Sequence, residues 1–391
     1  MEESNKLQNI ISQFVGSGKN ITVEPLGKGH INDSYKVVAD NEEYVLQRVN
    51  HYIFKNVPEL QNNILRVTNH TRAKLQEKGI TDLHRRTLTI VPTQSGDLFY
   101  KDNDGNYWRM YDFIKNGKSY DEITPELAYR AGLAFGEFQK TLADLPGEPL
   151  FETIPNFHNM ESRLVTFRQA VKDNKAGRLA EVSDLVAEIE ARADEMCKAE
   201  QLYRDGKLPK RTNHCDTKVN NVIFDENDQV LCVVDLDTVM PGYVLSDFGD
   251  FIRTGANTGA EDDKNLDNIS VNLAIFEGYT KGYLKSAASF LTDIEIENLA
   301  FGAKLLTYMQ TVRFFADYLD GDLYYKTAYP EHNLVRTKAQ FKLLQSLEDN
   351  FEKMEEIVRR AVENNRSKWF AGVPGFDTSL GTSRYVCSCR S

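Results

Sequence analysis

Eight consecutive residues, His214-Cys215-Asp216-Thr217-Lys218-Val219-Asn220-Asn221, bring together the side chains from which a phosphoryl-transfer centre is made. In a His-x-Asp-x-x-x-x-Asn loop the aspartate can face a reacting hydroxyl while the asparagine turns toward a metal ion. Asp216 would take the proton of the attacking hydroxyl. Asn221 and Asp235 supply hard oxygen atoms, the ligands that Mg²⁺ needs when it is held against nucleotide phosphates. Asp235 follows two apolar runs, 222–224 and 230–234, joined by the polar turn Asp225-Glu226-Asn227-Asp228. That short hairpin would set the loop and the carboxylate rigidly beside each other. Loops rich in Asp and Asn are often plain turns, because both side chains bond to nearby backbone. The hairpin, and the acidic pair Asp235 and Asp237 at its end, favour chemistry over a plain turn.

The elements that must position these residues read as α/β in front and mostly helical behind. Runs at 21–23, 34–38 and 44–49 have strand character, with Leu26-Gly27-Lys28-Gly29-His30-Ile31-Asn32-Asp33 between the first two. Gly27 and Gly29 allow a tight turn that could fold over nucleotide phosphates, although a lone G-x-G is more often a plain hairpin turn. No Gly-Lys-Ser/Thr P-loop is present. A helix is expected from Pro58, then strands near 87–91 and 108–114, the latter leading into a second lobe. Thr124, Pro125 and Glu126 signal a helix start, and Leu127, Ala131, Phe135, Phe138 and Leu142 share one of its faces. Further helices are expected at 181–199, 271–284, 292–319 and 336–363, with an irregular tail from Arg366. The domain reading is 1–114 for a nucleotide-binding lobe, 115–365 for a catalytic and substrate lobe, and 366–391 for the tail.

Composition narrows the field. At 391 residues the chain can build two lobes, and 41% hydrophobic with 27% charged residues is ordinary for a globular protein. A net charge of −11 argues against nucleic-acid or membrane-surface partners. No run of 18 apolar residues exists, and the start MEESNKLQNIIS lacks signal-peptide character. The five cysteines (197, 215, 232, 387 and 389) are unpatterned, as expected of a cytoplasmic protein without disulfides. A monomer or small homo-oligomer is expected.

The loop 214–221 and the run Val233-Val234-Asp235-Leu236-Asp237-Thr238 resemble those of the aminoglycoside phosphotransferase and choline kinase superfamily. Within it, Leu26 to Asn32, Tyr44 to Asn50, Ile154-Pro155-Asn156-Phe157-His158, the stretch 235–250 (DLDTVMPGYVLSDFGD) and 313–336 are similar to N-acetylhexosamine 1-kinases. The resemblance covers roughly residues 10–365, and 235–250 is its most specific part. It implies an α+β, protein-kinase-like bilobal fold, ATP and Mg²⁺ as cofactors, and transfer to the anomeric hydroxyl of GlcNAc or GalNAc. By the same implication Asp216 is the base toward the sugar and Asp237 a further acidic contact. His30, Arg313 and Tyr324 become sugar contacts, and Gly27, Gly29, Arg48 and Tyr111 nucleotide contacts. Asp247 and Asp250 would brace the metal loop and His214 the catalytic loop.

Two points stay open on the sequence. Kinases place a lysine on the third strand, whereas here Gln47 and Arg48 occupy that place; they face opposite sides, so only one reaches the nucleotide. Arg313 could instead pair with Asp317 one helical turn on. The competing functions are a kinase for another hydroxyl acceptor (aminoglycoside, choline or homoserine type) and a non-catalytic nucleotide-binding pseudokinase. A sulfatase is excluded because no Cys/Ser-x-Pro-x-Arg pentapeptide occurs.

Overall fold

Alternating side chains in the first third of the chain build a small antiparallel sheet with apolar residues on both faces. The computed structural model describes residues 2–27 and 31–371, so Gly29, His30 and the stretch 372–391 lie outside the described residues. Helix α1 (Glu2–Val15) comes first, then strands β1 (Ile21–Pro25), β2 (Asp33–Ala39) and β3 (Glu42–Val49). Helices α2 (Val57–Glu77) and α3 (Leu83–Arg86) precede β4 (Ile90–Val91), β5 (Tyr100–Lys101) and β6 (Tyr107–Asp112). The strand order is β1-β2-β3-β6-β4, with β5 also on β6. One face buries Val37, Leu46, Trp108 and Met110 against Ile10, Ile11 and Phe14 of α1. The other buries Val49 and Tyr111 against Leu60, Ile64 and Val67 of α2, and takes in Leu236 and Val239 from beyond the catalytic loop. This second cluster therefore welds the lobes together through the segment that carries Asp235.

The large lobe starts with α4 (Pro125–Leu142), whose first turn is capped by the Thr124 hydroxyl accepting from Leu127 N at 3.3 Å. Helices α5 (Met160–Asp173), α6 (Ser183–Glu190), α7 (Ala193–Met196) and α8 (Lys198–Arg204) lead to strands β7 (Arg211–Asn213), β8 (Val222–Phe224), β9 (Val230–Val233) and β10 (Met240–Gly242). The rest is helical: α9 (Val244–Gly255), α10 (Leu273–Ala287), α11 (Asp293–Glu297), α12 (Leu299–Asp320), α13 (His332–Asp349) and α14 (Phe351–Ala371). β8 and β9 form the expected hairpin, and β7 pairs with β10. The expected α+β bilobal architecture is thus the one observed.

Several elements depart from the pattern. α1, α5 and most of α9 carried no clear signal, and 181–199 folds as three short helices. The two longest rear helices are each divided at an asparagine. Asn298 donates its amide to Ile294 O at 2.8 Å, and Asn350 does the same to Ser346 O at 2.8 Å. Side-chain bonding of this kind competes with the helix ladder and ends it. α14 continues past the expected boundary at 365. Among the described residues no helix is long and apolar enough to cross a membrane.

Candidate active site

The catalytic loop is fixed from beneath by α9. The Asp247 carboxylate accepts from the backbone N–H groups of His214 (2.8 Å) and Cys215 (2.7 Å) and from Gln139 Nε2 (2.7 Å). Asp250 accepts from Thr217 N at 3.0 Å and pairs with the buried Arg253. α9 can reach the loop because Gly249 and Gly302 let it approach α12 closely: a Cβ at Gly249 would stand 2.0 Å from the Gly302 carbonyl oxygen. Cys215 has φ +63°, a left-handed conformation unfavourable for a residue with a Cβ, and the bonds to Asp247 hold it there. The His214 ring donates from Nε2 to Val234 O at 2.9 Å and accepts from Asp216 N at 3.3 Å on Nδ1. It ties the loop to the strand before Asp235, so its role is support. These three expectations agree with the geometry.

Asp216 is half-buried, with the Lys218 ammonium 3.0 Å from its Oδ1. The Asp216 charge, more than any other influence, holds that ammonium firmly in its charged form. Asn221 donates its amide nitrogen to Asp216 O at 2.8 Å, which leaves its amide oxygen to turn elsewhere. Asn221 O accepts from Val234 N at 2.9 Å, so Asn221 and Asp235 are pinned to adjoining strands. Asp235 is left-handed (φ 60°, ψ 63°), and its carboxylate has no hydrogen bond or ion pair among the described residues. The residue has exposed surface yet is closely surrounded by protein. Loss of bulk hydration, then the charges of Asp237 and Asp216, push it up to about 6. An unpaired carboxylate under like-charge repulsion, beside a free amide oxygen, fits a divalent cation that completes its shell with phosphates and water. Among the described residues no cluster of three or more His, Cys, Asp or Glu could hold a metal by itself.

Three expected site residues lie elsewhere. Asp237 is not a substrate contact: Arg109 binds both its oxygens at 2.5 and 2.9 Å, and Asn32 Nδ2 binds Oδ2 at 2.6 Å. All of these groups are buried, so the carboxylate is fully used in joining the lobes. Arg48 is not a phosphate contact either. It points out of the cleft and donates Nε to Asp33 at 2.8 Å, its register partner on β2, while Gln47 faces inward and accepts from Arg109 at 2.8 and 3.0 Å. Strand alternation makes that choice. Tyr111 is 4% exposed and packs in the interlobe cluster with the Arg109 guanidinium 5.3 Å from its ring centre. Gly27 has φ +68°, the tight turn expected of it.

Arg313 and Tyr324 come together in a cavity of 230 Å³ bordered by α5, α12 and the loop that follows α12. The alternative ion pair with Asp317 does not form. Asp317 instead accepts from the backbone N–H groups of Leu323, Tyr324 and Tyr325 and from Asn333. Arg313 lies over the rings of Phe157 (5.1 Å) and Tyr325 (5.7 Å) and has no carboxylate partner among the described residues. Arg163 joins it, donating to Phe157 O at 2.7 and 3.1 Å. Burial, and then repulsion by Arg313, pull the Arg163 guanidinium down to about 10. His158 stacks on Phe157 at 4.5 Å, and its Nδ1 is buried without a partner. Burial and the positive charges of Arg313 and Arg163, opposed by Asp216, push it down to about 3, so it is a neutral imidazole.

Lys218, His158, Arg163 and Arg109 are the site residues that sequence reasoning missed. Lys218 had a signal, being two positions from Asp216 inside the loop. His158 sat in a quoted motif without a role. Nothing in the sequence marks Arg109 or Arg163 apart from other strand and helix arginines.

The chain matches the phosphotransferase enzyme family over residues 22–284, more than half its length, and belongs to that family. It is accordingly a phosphotransferase that uses a hydroxyl group as acceptor. Among solved structures it is similar to spectinomycin phosphotransferase in complex with ADP and spectinomycin (14% identity, 91% of this chain and 98% of that one, TM-score 0.50). It is also similar to a microcompartment-associated aminopropanol kinase (14%, 90% and 98%, 0.54) and to the Plasmodium vivax ethanolamine kinase (13%, 85% and 86%, 0.54). At these identities the likeness is one of fold.

Proposed function

We propose that the protein transfers the γ-phosphoryl group of ATP, with Mg²⁺, to the anomeric hydroxyl of an N-acetylhexosamine. The observation that carries the acceptor class is the pair of guanidiniums, Arg163 and Arg313, among Phe157, Tyr324 and Tyr325. A cationic amino alcohol or aminoglycoside would need carboxylates there, whereas a neutral sugar is matched by forked donors and aromatic faces. Bound at Asn221 and Asp235, Mg²⁺ would supply charge neutralisation to the phosphates. Asp216 accepts the proton as the sugar oxygen bonds to the γ-phosphorus and the bond to the β-phosphate oxygen breaks, releasing ADP. Lys218 offsets negative charge where acid and phosphate approach. The intact set Asp216, Asn221 and Asp235 speaks against a silent pseudokinase.

The test is ADP release by the purified chain across GlcNAc, GalNAc, glucose, galactose, choline and kanamycin, with phosphorus NMR of the product. Turnover of the N-acetylhexosamines to a 1-phosphate is the expected result. Turnover confined to an amine would overturn the substrate assignment.

A further inference from the structure

The segment between α4 and α5 is irregular yet fastened along its length. Leu150 is buried in the interlobe cluster, and Ile154 packs against the same cluster. Phe151 exchanges two hydrogen bonds with Asn63 of α2: its N–H donates to Asn63 Oδ1 at 3.0 Å, and its carbonyl accepts from Asn63 Nδ2 at 2.8 Å. The same Nδ2 donates to Val239 O at 3.3 Å. Asn63 is buried next to Ile64 on α2, where an apolar residue would pack with no polar group to satisfy. Its amide is fully engaged, so what it contributes is the placement of backbone. Two residues after Phe151, the buried Thr153 hydroxyl donates to Asp237 O at 2.8 Å. The neighbouring Thr238 hydroxyl donates to His214 O at 2.8 Å. Buried bonds thus run from α2, through 150–154 and 235–239, to the catalytic loop.

The second half of this strap carries acceptor contacts. Pro155 fixes its own φ, and Asn156 turns the chain at φ +56°. Phe157 then meets Arg313 with its ring and Arg163 with its carbonyl. His158 borders a cavity of 50 Å³ together with Cys215, the residue before Asp216. Asn159 ends the strap by accepting from Ser162 N at 2.8 Å, which caps α5. A proline, a left-handed turn and a helix cap in succession leave little slack, so a shift at Thr153 is carried to Phe157 and His158.

We infer that Thr153 and Asn63 are positioning residues for the acceptor: they hold Phe157 and His158 in a fixed place relative to Asp235 and the catalytic loop. The inference rests on the reading above in placing the acceptor beside Phe157. Placement of this kind has kinetic weight, because a shift of about 1 Å can cost ~10²-fold in rate. The Thr153 bond goes to the Asp237 carbonyl, whereas the Asp237 carboxylate keeps its own bonds to Arg109 and Asn32. Loss of the hydroxyl should therefore reach the acceptor side and spare the nucleotide side.

The experiment follows ADP release by the full chain with Mg²⁺ and measures kcat, the KM for GlcNAc, the KM for ATP, and Tm. It compares the wild type with Thr153→Val, which keeps the side-chain shape and deletes the hydroxyl, and with Thr153→Ser, which keeps the hydroxyl. Thr153→Val is expected to raise the KM for GlcNAc by about threefold to tenfold, the range for one lost neutral hydrogen bond, and to leave the KM for ATP within about twofold. Thr153→Ser should return the sugar KM to near the wild-type value. Asn63→Ala should move the same constant in the same direction; if it does not fold, the Thr153 pair decides. Unchanged KM values with a lower Tm, an equal rise in both KM values, or a serine variant no better than the valine one overturns the inference and leaves the sugar-kinase reading standing. If the wild type uses only an amine, the sugar reading falls, and the same comparison made with that amine still decides the role of the strap. A wild type that uses no acceptor removes both.

Discussion

The two walls of the cleft are built on opposite principles. In the large lobe the restraints on the catalytic loop fall on its backbone: Asp247 and Asp250 bind N–H groups of His214, Cys215 and Thr217, while the Asp216 carboxylate meets only Lys218 and Asn221 of its own loop and Asp235 has no partner among the described residues. In the small lobe the charges near the nucleotide space are already engaged. Arg48 turns outward to Asp33, and Arg109 is locked by Asp237 and Gln47. Asp235 and Asp237, two residues apart, condense the contrast: one carboxylate is open, repelled and left-handed, the other buried and doubly bonded. In the proposed mechanism the acid–base and metal chemistry therefore belongs to the large lobe. Among the described residues Arg109 of the small lobe serves lobe attachment, and the backbone turn at Gly27 is left able to cover phosphates.

The largest effects should therefore come from the carboxylates Asp216 and Asp235. Asp216→Ala is expected to lower kcat by ~10²–10⁴-fold, the usual range for a lost general base, with little change in Tm. Asp235→Ala should abolish Mg²⁺-dependent ATP use, since it removes the carboxylate near Asn221 that has no partner among the described residues. Retention of activity there, measured by ADP release, would break the division between the lobes.

Next come Arg48 and Arg109 of the small lobe, which should behave differently from each other. Arg109→Met strands Asp237 as a buried, uncompensated charge, a loss of ~3–5 kcal/mol of stability in comparable pairs. Arg48→Ala removes an exposed pair worth about 0–1 kcal/mol, and kcat and KM should barely move. A large rise in the KM for ATP with Arg48→Ala would restore the phosphate contact that the geometry denies it. Chemical denaturation and steady-state kinetics on both variants decide the matter.

What was legible in the sequence divides along similar lines. That Asp216, Asn221 and Asp235 stand close together could be read because local spacing fixes them: one loop, one hairpin, one strand end; their roles remain those proposed above. The three leading strands and α4 were readable from alternation and from the Thr124 cap. Asp237 was misassigned because its partner, Arg109, is far away in sequence and only the packed lobes reveal the pair. The orientation of Gln47 and Arg48 depended on strand register, which single-strand alternation leaves undetermined by one residue. α5 and the pieces of 181–199 mix exposed polar positions with sparse apolar ones, so periodicity alone gave little signal. Arg163, on α5, was missed with them.

The support beneath the catalytic loop can be probed with less damage. Gly302→Ala would put a Cβ 2.4 Å from the Leu245 carbonyl oxygen, a backbone atom that cannot swing aside. α9 and α12 must then separate, at a cost typical of overpacking, ~1–3 kcal/mol. Because α9 carries Asp247 and Asp250, the variant should lose kcat together with Tm. A fall in Tm with unchanged kcat would show that the loop holds its shape without close support from α9.

The smallest effect tests whether a carboxylate buried away from the cleft acts on stability alone. Glu200 is 4% exposed; its Oε1 accepts from Met160 N at 2.6 Å, at the start of α5, and its Oε2 has no partner. Burial, only partly opposed by the Met160 bond, pushes its carboxyl up to about 7. The folded state therefore binds this proton more tightly than the unfolded chain, whose glutamate titrates near ~4.3. The resulting stabilisation is complete below that value and is lost as pH rises toward 7, so the native state carries a charge penalty at pH 8. Glu200→Gln keeps an acceptor for Met160 N and removes the charge. Tm should rise by a few degrees at pH 8, consistent with about 1–2 kcal/mol after relaxation, and change little at pH 5. Equal shifts at the two pH values would mean that the gain comes from packing and that Glu200 is not the titrating group.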